Sequence, residues 1–186
     1  MRLKCIDMII LKPTEEELKS AFEFAKKYDE GKFGKNVLGV SYEEYIDFIR
    51  IGKLCELTFV RFLKDNKIEV DCKDMLVPCE DEHRHGADFI LIHSNQEVDI
   101  KAANKNFHSR MLVREDQFKA HIHDVYIGAK YISDNKIEFH GYSTGNDLKK
   151  IKPKDFGYGP CRHILLSDMK SIENFIKLCK DKKVIA

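Results

Sequence analysis

Apolar residues recur at spacings of three and four in two segments near the start of the chain, a pattern typical of amphipathic helices. The first helix is predicted to begin after Thr14, with Glu17 at the distance of a capping box. The second is predicted to begin at Ser41 and to extend to about Lys64 or Asn66. Further helices are predicted at 114–121, at 144–151 and from about Ser167 onward.

Shorter apolar runs separate the later helices and indicate strands. Strands are predicted at 67–79, 85–93, 97–103, 123–132 and 136–142, and a loop at 155–160. This alternation predicts one α/β domain with a mixed central sheet flanked by helices. We divide it into an N-terminal helical segment (1–40), a core (41–142) and a C-terminal loop and helix (143–186). A chain of 186 residues is long enough to bury a substantial core.

Three charged residues interrupt two of the apolar strands, where a charge is costly to bury. A two-residue turn at 94–95 would pair Asp88 with Lys101 and Ile90 with Asp99 in an antiparallel hairpin. Paired residues share a face of a sheet, as do residues two apart, so the two acids and the lysine would cluster. Two such carboxylates suit a divalent cation. The alternative is a surface hairpin with a salt bridge between Asp88 and Lys101.

An acidic residue also stands within the apolar stripe of the second helix. That stripe is apolar except for Glu56 and consists of Tyr45, Ile49, Gly52, Glu56, Val60 and Leu63. A glutamate on a buried face needs a partner, which makes it a candidate for the same site. Alternatively, the buried face of the helix is rotated away from this stripe.

Taken together, these segments resemble the PD-(D/E)XK nuclease superfamily, which has the restriction-endonuclease-like fold. The resemblance rests on GKLCE in the helix (52–56), GAD at the start of a strand (86–88) and VDIK in the next strand (98–101). It implies catalytic roles for Glu56, Asp88, Asp99 and Lys101. The proline of the family motif is Ala87 here, and the tyrosine of one exonuclease-like branch is replaced by His121. We therefore do not extend that branch's exonuclease activity to this chain.

The resemblance implies hydrolysis of DNA phosphodiester bonds, supported by Mg²⁺ or Mn²⁺, in an enzyme of restriction, repair, recombination or phage type. Asp88 and Asp99 would bind one ion, with the carbonyl of Ile100, and Glu56 would bind a second ion or its water. Lys101 would orient the attacking water. The alternative is a catalytically silent DNA-binding or assembly subunit with the same fold.

The net charge is only +1, so the molecule as a whole does not attract DNA, and a DNA-binding surface would be a local basic patch. A basic segment after the motif supplies the candidate DNA-binding residues Lys105, Arg110, Arg114, Gln117 and Lys119. Cutting both strands of a duplex favours a homodimer. The apolar runs are too short to span a membrane and the N-terminus lacks a signal-peptide pattern, so a cytoplasmic location is expected.

The six cysteines form no CxxC pair and are expected to be reduced thiols. A second interpretation is a small zinc-binding protein that uses Cys72, Cys79, His83 and His85. The spacing between the two cysteines exceeds that of the usual zinc knuckle, which favours the first interpretation.

Overall fold

The computed structural model describes residues 8–28, 41–77, 86–104, 107–157 and 159–185. The helices are α1 (Glu15–Tyr28), α2 (Tyr42–Asp65), α3 (Glu115–Ala120), α4 (Gly145–Lys149) and α5 (Ile172–Lys180), with a 3-10 turn at Leu166–Asp168. The first strands are β1 (Ile9–Leu11), β2 (Val70–Asp71), β3 (Phe89–Leu91), β4 (Gln96–Ala103) and β5 (Arg110–Arg114). The remaining strands are β6 (Val125–Ser133), β7 (Lys136–Thr144), β8 (Lys154–Asp155) and β9 (Pro160–Leu165).

Two sheets organise the described residues. The larger one has six strands in the order β1-β7-β6-β4-β3-β2, and only β4 and β6 run parallel within it. The smaller one has the order β5-β9-β8 and is antiparallel. The chain is therefore a mixed α/β protein with a mixed six-stranded sheet flanked by helices, which confirms the predicted class.

Each face of the large sheet has its own apolar cluster. On one face, α2 and α5 pack against β3, β4, β6 and β7, and the ring of Phe59 lies 4.8 Å from that of Phe139 and 6.0 Å from that of Phe175. On the other face, Tyr126 of β6 packs with Phe118 of α3 and with residues of β5 and α4. Asp99 is the neighbour of Tyr126 in the parallel pairing of β4 with β6.

Both predicted capping boxes are present. The hydroxyl of Thr14 accepts from the Glu17 N–H at 3.1 Å, and Ser41 does the same for Glu44 at 3.2 Å. Side-chain caps satisfy N–H groups that the helix itself leaves unpaired. They join residues three apart in the chain, so their spacing can be recognised in the sequence. The end of α2 at Asp65 also lies within the predicted range.

Several predicted elements differ from the structure. Of the strand predicted at 67–79, the described residues 67–77 contain only β2 (Val70–Asp71), because residues 73–76 form a turn. The last helix begins at Ile172, where Ser171 caps it, and a 3-10 turn occupies the predicted start near Ser167. Strands β1, β5, β8 and β9 were not predicted. β1 and β5 pair with strands that lie far away in sequence, and β8 and β9 form a short hairpin around the loop predicted at 155–160.

Candidate functional site

Asp99 and Lys101 lie side by side on β4, as residues two apart in a strand must. The Asp99 carboxylate is buried, with 6% of the residue exposed. Its Oδ1 accepts a hydrogen bond from Lys101 Nζ at 3.2 Å. Its Oδ2 lies 2.9 Å from the same nitrogen as an ion pair, but accepts no hydrogen bond from the described residues. Both carboxylate oxygens therefore face the Lys101 ammonium group, and only the contact at Oδ1 has the geometry of a hydrogen bond.

Asp88 immediately precedes β3, and hydrogen bonds from its main chain and to its side chain connect it to β4. Its N–H donates to the carbonyl of Val98 at 3.0 Å, and its Oδ2 accepts from the Ile100 N–H at 2.6 Å. Burial raises the pKa of Asp88 well above its usual range, and the charges of Glu56 and Asp99 raise it further. The three carboxyl groups are thus close enough to repel one another.

The hairpin register differs from the predicted one by two residues. Ile90 pairs with Glu97, and not with Asp99, because the turn spans 92–95 and not 94–95. Asn95 closes this longer turn with φ 54°, a left-handed conformation that asparagine tolerates. Extending the observed register by one residue places Asp88 opposite Asp99, so the predicted pairing with Lys101 is wrong. A shift of two residues preserves the faces, and the predicted cluster survives.

Glu56 has a partner that was not predicted from the sequence. The ammonium group of Lys53, one turn earlier in α2, forms a short ion pair with Glu56 Oε2. Lys53 is itself buried and lies 4.4 Å from the centre of the Phe24 ring. Burial raises the pKa of Glu56, the Lys53 pair opposes that rise, and the charge of Asp99 adds to it. This pair could have been predicted from the sequence, because residues three apart in a helix are neighbours on its surface.

The buried face of α2 is rotated relative to the predicted stripe. Its buried apolar residues are Ile51, Leu54, Cys55, Phe59, Val60 and Leu63. Tyr45, Ile49 and Gly52 are only partly buried. Glu56 lies at the edge of the buried face, with 12% of its side chain exposed. It therefore reaches the acidic cluster from the margin of the helix.

The charges around this cluster do not balance. Glu56, Asp88 and Asp99 can carry three negative charges, whereas Lys53 and Lys101 carry two positive ones, which leaves one negative charge in excess. Burial opposes the charge of Lys101, but Asp99 and Asp88 raise its pKa above the usual range, so it stays an ammonium ion. A proton on Asp88 or a bound cation would complete the balance.

A pocket of about 170 Å³ opens onto Asp99 and Lys101. It is lined by Gly86, Asp99, Lys101, Val113, Gln117, His121, His123 and Tyr126. Gln117 of α3 therefore lies in the same pocket as Asp99 and Lys101. A larger groove of about 530 Å³ lies elsewhere, between the end of α2 and the C-terminal residues, and contains none of the predicted site residues.

Two histidines of this pocket, with Glu97, form a cluster that was not predicted from the sequence. Glu97 Oε2 lies 3.1 Å from His123 Nδ1 and contacts His121 Nε2. Burial lowers the pKa of His123, which favours its neutral form. Although burial opposes it, the contacts with both histidines lower the pKa of Glu97. One part of this cluster could have been predicted from the sequence: Glu97 lies two residues before Asp99 and therefore on the same face of β4.

The predicted DNA-binding side chains are spread over α3 and β5. Arg114 pairs with Asp116 at 2.5 Å, and Lys119 lies 3.5 Å from Glu115, so both already have acidic neighbours. The exposed Arg110 lies over the Phe156 ring at 5.9 Å. Lys105 lies outside the described residues. So do Cys79, His83 and His85 of the alternative zinc set, while Cys72 accepts from Lys64 Nζ at 3.4 Å.

None of the described helices is long and apolar enough to cross a membrane. Comparison of the chain with family models, with curated proteins and with solved structures returned no match. Any assignment of function to this chain therefore rests on the geometry of the site.

Proposed function

We propose that the chain is a magnesium-dependent deoxyribonuclease of the restriction-endonuclease-like class, acting as an endonuclease. The observation that carries this proposal is the meeting of three acids, Glu56, Asp88 and Asp99, with only two ammonium groups, those of Lys53 and Lys101. Structural salt bridges normally pair their charges, and a third acid is expensive there. In a site that binds a cation, the third acid is stabilised by the charge of the ion.

The donor set fits Mg²⁺ or Mn²⁺, which prefer carboxylate and carbonyl oxygens. Asp88 and Asp99 would hold the ion, with the carbonyl of Ile100 as a further oxygen donor. Glu56 is the candidate for a second ion, in competition with its ion pair to Lys53. When bound, the ion supplies Lewis-acid stabilisation of the charge that develops on the phosphate and on the leaving oxygen.

The chain's own residues supply the rest of the chemistry. Lys101 remains an ammonium ion, so it donates hydrogen bonds to the attacking water or to a phosphate oxygen and does not act as the base. Water adds to phosphorus while the bond from phosphorus to the leaving oxygen breaks; the attacking water loses a proton to solvent, and the leaving oxygen takes one up from solvent. Gln117, in the same pocket, offers an amide N–H to a phosphate oxygen, and Arg110, Arg114 and Lys119 would contact the DNA backbone further away.

The test uses circular, linear and branched DNA, incubated with the purified chain in Mg²⁺, Mn²⁺ or a chelator and analysed on gels. We expect cleavage with Mg²⁺ or Mn²⁺ only, and nicked or linearised circles as the sign of endonuclease action. Cleavage at full rate in the chelator would contradict a metal-dependent mechanism. Light scattering tests the homodimer that duplex cutting favours.

A DNA-binding or assembly subunit without catalysis is the second candidate. It is favoured by the internal ion pairs of Lys101, Lys53 and Arg114, which neutralise these groups without metal or DNA. In that case the chain binds DNA by gel shift, but no substrate is cut with any of the metals. The two candidates therefore differ in a single experiment.

A further inference from the structure

Glu97, His121 and His123 form a second polar cluster that the proposed nuclease chemistry does not use. Among the described residues, they are the only group of three or more His, Cys, Asp or Glu side chains whose ligand atoms all lie within 4.8 Å of one another. The acids Glu56, Asp88 and Asp99 do not meet that spacing. Glu97 comes from β4, and both histidines come from the segment between α3 and β6.

The spacing of the three donors is near that of a metal site. With metal–ligand bonds of about 2.0–2.2 Å, the ligand atoms of a tetrahedral site lie about 3.3–3.6 Å apart. Glu97 Oε2 and His123 Nδ1 are separated by 3.1 Å. His121 Nε2 is in shorter contact with Glu97 Oε2, so a small rotation of the exposed His121 ring would admit an ion.

The type of donor selects the type of ion. Two imidazole nitrogens and one carboxylate suit Zn²⁺ and its neighbours among the transition metals, whereas Mg²⁺ prefers oxygen ligands. The side chains of His121 and Glu97 are 44% and 34% exposed, which leaves a path from solvent. His123 is buried, and its main-chain N–H is bonded to the Tyr126 hydroxyl at 3.1 Å, so one ligand is held firmly.

The cluster also touches the proposed catalytic pair. His123 Nε2 lies 3.9 Å from Asp99 Oδ1, on the side of the ring away from Glu97. A histidine that binds a metal through Nδ1 carries its proton on Nε2, and metal-binding histidines commonly direct that N–H to a carboxylate. Asp99 is the carboxylate on that side of the ring, and its 3.9 Å separation from Nε2 would have to shorten for this hydrogen bond to form.

We propose that Glu97, His121 and His123 bind one Zn²⁺, or a transition-metal ion of similar chemistry, and that Asp99 orients His123 as a ligand. Three protein ligands leave a fourth position for water or an anion. The site is separate in its ligands from the proposed magnesium site, and its existence does not depend on nuclease activity.

The test is direct metal binding by the full, untagged chain after treatment with a chelator. Zn²⁺ is titrated by calorimetry, and Co²⁺ is used as a spectroscopic probe because its visible spectrum reports the ligand geometry. We expect one equivalent of tight binding. Glu97→Gln and His121→Gln should each weaken it by about 100-fold or more, and Asp99→Asn by about 10-fold, as is typical for loss of a partner behind a ligand.

Matched variants assign the site. His93→Gln removes a histidine of the β3–β4 turn, and Asp88→Asn removes an acid of the other site; both should leave the affinity for Zn²⁺ unchanged. Exposed His121 is the informative position, since its substitution does not disturb the core, and the melting temperature of each variant is compared with the parent. The proposal is overturned if no equivalent of Zn²⁺ is taken up. It is equally overturned if His121→Gln and Glu97→Gln bind Zn²⁺ as the parent does, or if Cys79→Ser or Asp88→Asn abolishes binding while His121→Gln retains it.

Discussion

At the scale of single residues, Asp99 and Lys101 form a buried ion pair beside two further acids, Glu56 and Asp88. Asp99 and Lys101 neutralise each other through an ion pair in which both Asp99 oxygens face the Lys101 ammonium group. Asp88 beside them has a raised pKa, because burial and two acidic neighbours disfavour its charge. This arrangement is costly in an empty site and useful in one that binds a cation.

The first prediction separates chemistry from DNA binding. Asp99→Ala and Lys101→Ala should each lower the cleavage rate by at least about 100-fold, because charge stabilisation at the reacting phosphate is lost. In metal-free buffer Asp99→Ala should bind DNA as tightly as the parent or more tightly, since a negative charge is removed. Lys101→Ala should lower the salt dependence of binding by about one phosphate contact.

Gel shifts over a salt series and a cleavage assay on one labelled duplex measure both quantities. Asp65→Ala, at the exposed end of α2, is the matched control and should behave as the parent. If Asp99→Ala cuts DNA at the parental rate, the nuclease assignment is wrong.

The second prediction concerns the pair of Lys53 and Glu56. Glu56→Gln removes the charge that Lys53 contacts and leaves a buried ammonium ion without its partner, which should lower the free energy of unfolding by about 1–3 kcal/mol. The double variant Lys53→Met with Glu56→Gln should recover much of that loss. Urea denaturation of the parent, Lys53→Met, Glu56→Gln and the double variant gives a double-mutant cycle. Additive losses of stability would show that the ion pair contributes nothing.

At the scale of elements, the β3–β4 hairpin decides which acids meet. Its turn, at 92–95, sets the register that places Asp88 beside β4. Elsewhere, Arg162 of β9 connects α3 to the end of α4. Its guanidinium donates to both oxygens of Glu115, at 2.8 and 3.1 Å, and to the carbonyls of Leu148 and Ile151.

The third prediction tests the turn. Asn95 has φ 54°, so Asn95→Val should lower the free energy of unfolding by about 1–2 kcal/mol, whereas Asn95→Gly should be neutral or stabilising. Asn135 occupies the turn between β6 and β7 and is not among the residues with positive φ, so Asn135→Val is the control. Equal losses from the two valine variants would contradict this account of the turn.

The fourth prediction concerns pH. The hydrogen bonds from Arg162 lower the pKa of Glu115 in the folded protein. Because the folded pKa lies below the unfolded value of about 4.3, the pair stabilises the protein above that pH, and the contribution is lost as the pH falls through the folded pKa. Glu115→Gln should therefore lower the urea midpoint at pH 7 and have a much smaller effect at pH 3. An equal effect at both pH values would mean that the charge of Glu115 is unimportant.

At the scale of the whole molecule, the site lies where the two sheets and α2 come together. Asp99 and Lys101 come from the parallel strand β4, Gln117 comes from α3, and Glu56 reaches the cluster from the edge of α2. Binding of an ion to these elements would stabilise the folded chain against unfolding, whether or not catalysis follows.

The fifth prediction rests on that coupling. Mg²⁺, Mn²⁺ and Ca²⁺ should each raise the melting temperature of the parent protein, and Asp99→Ala should abolish the increase. Ca²⁺ should support little cleavage, because it is larger and less demanding in its geometry. Differential scanning fluorimetry with each ion measures the effect, and an unchanged melting temperature at millimolar concentrations of all three ions would contradict the proposed site.

Local patterns in the sequence determined the elements that depend on neighbouring residues. The capping boxes of α1 and α2 and the shared face of Asp99 and Lys101 were predictable, because they follow from the geometry of a single helix or strand. Strands β1, β5 and β9 were not, since each pairs with a strand that is distant in sequence, and β8 is only a two-residue pairing with β9.

The candidate site divides in the same way. The sequence placed Asp88, Asp99 and Lys101 on one face, and the error of two residues in register left that face unchanged. Tertiary structure alone decided that α2 places Glu56 at the margin of the core, and that His121 and His123 approach Glu97. The rotation of a helix and the path of a loop are set by packing over the whole molecule, because many similar arrangements satisfy the local pattern and only one fills the core.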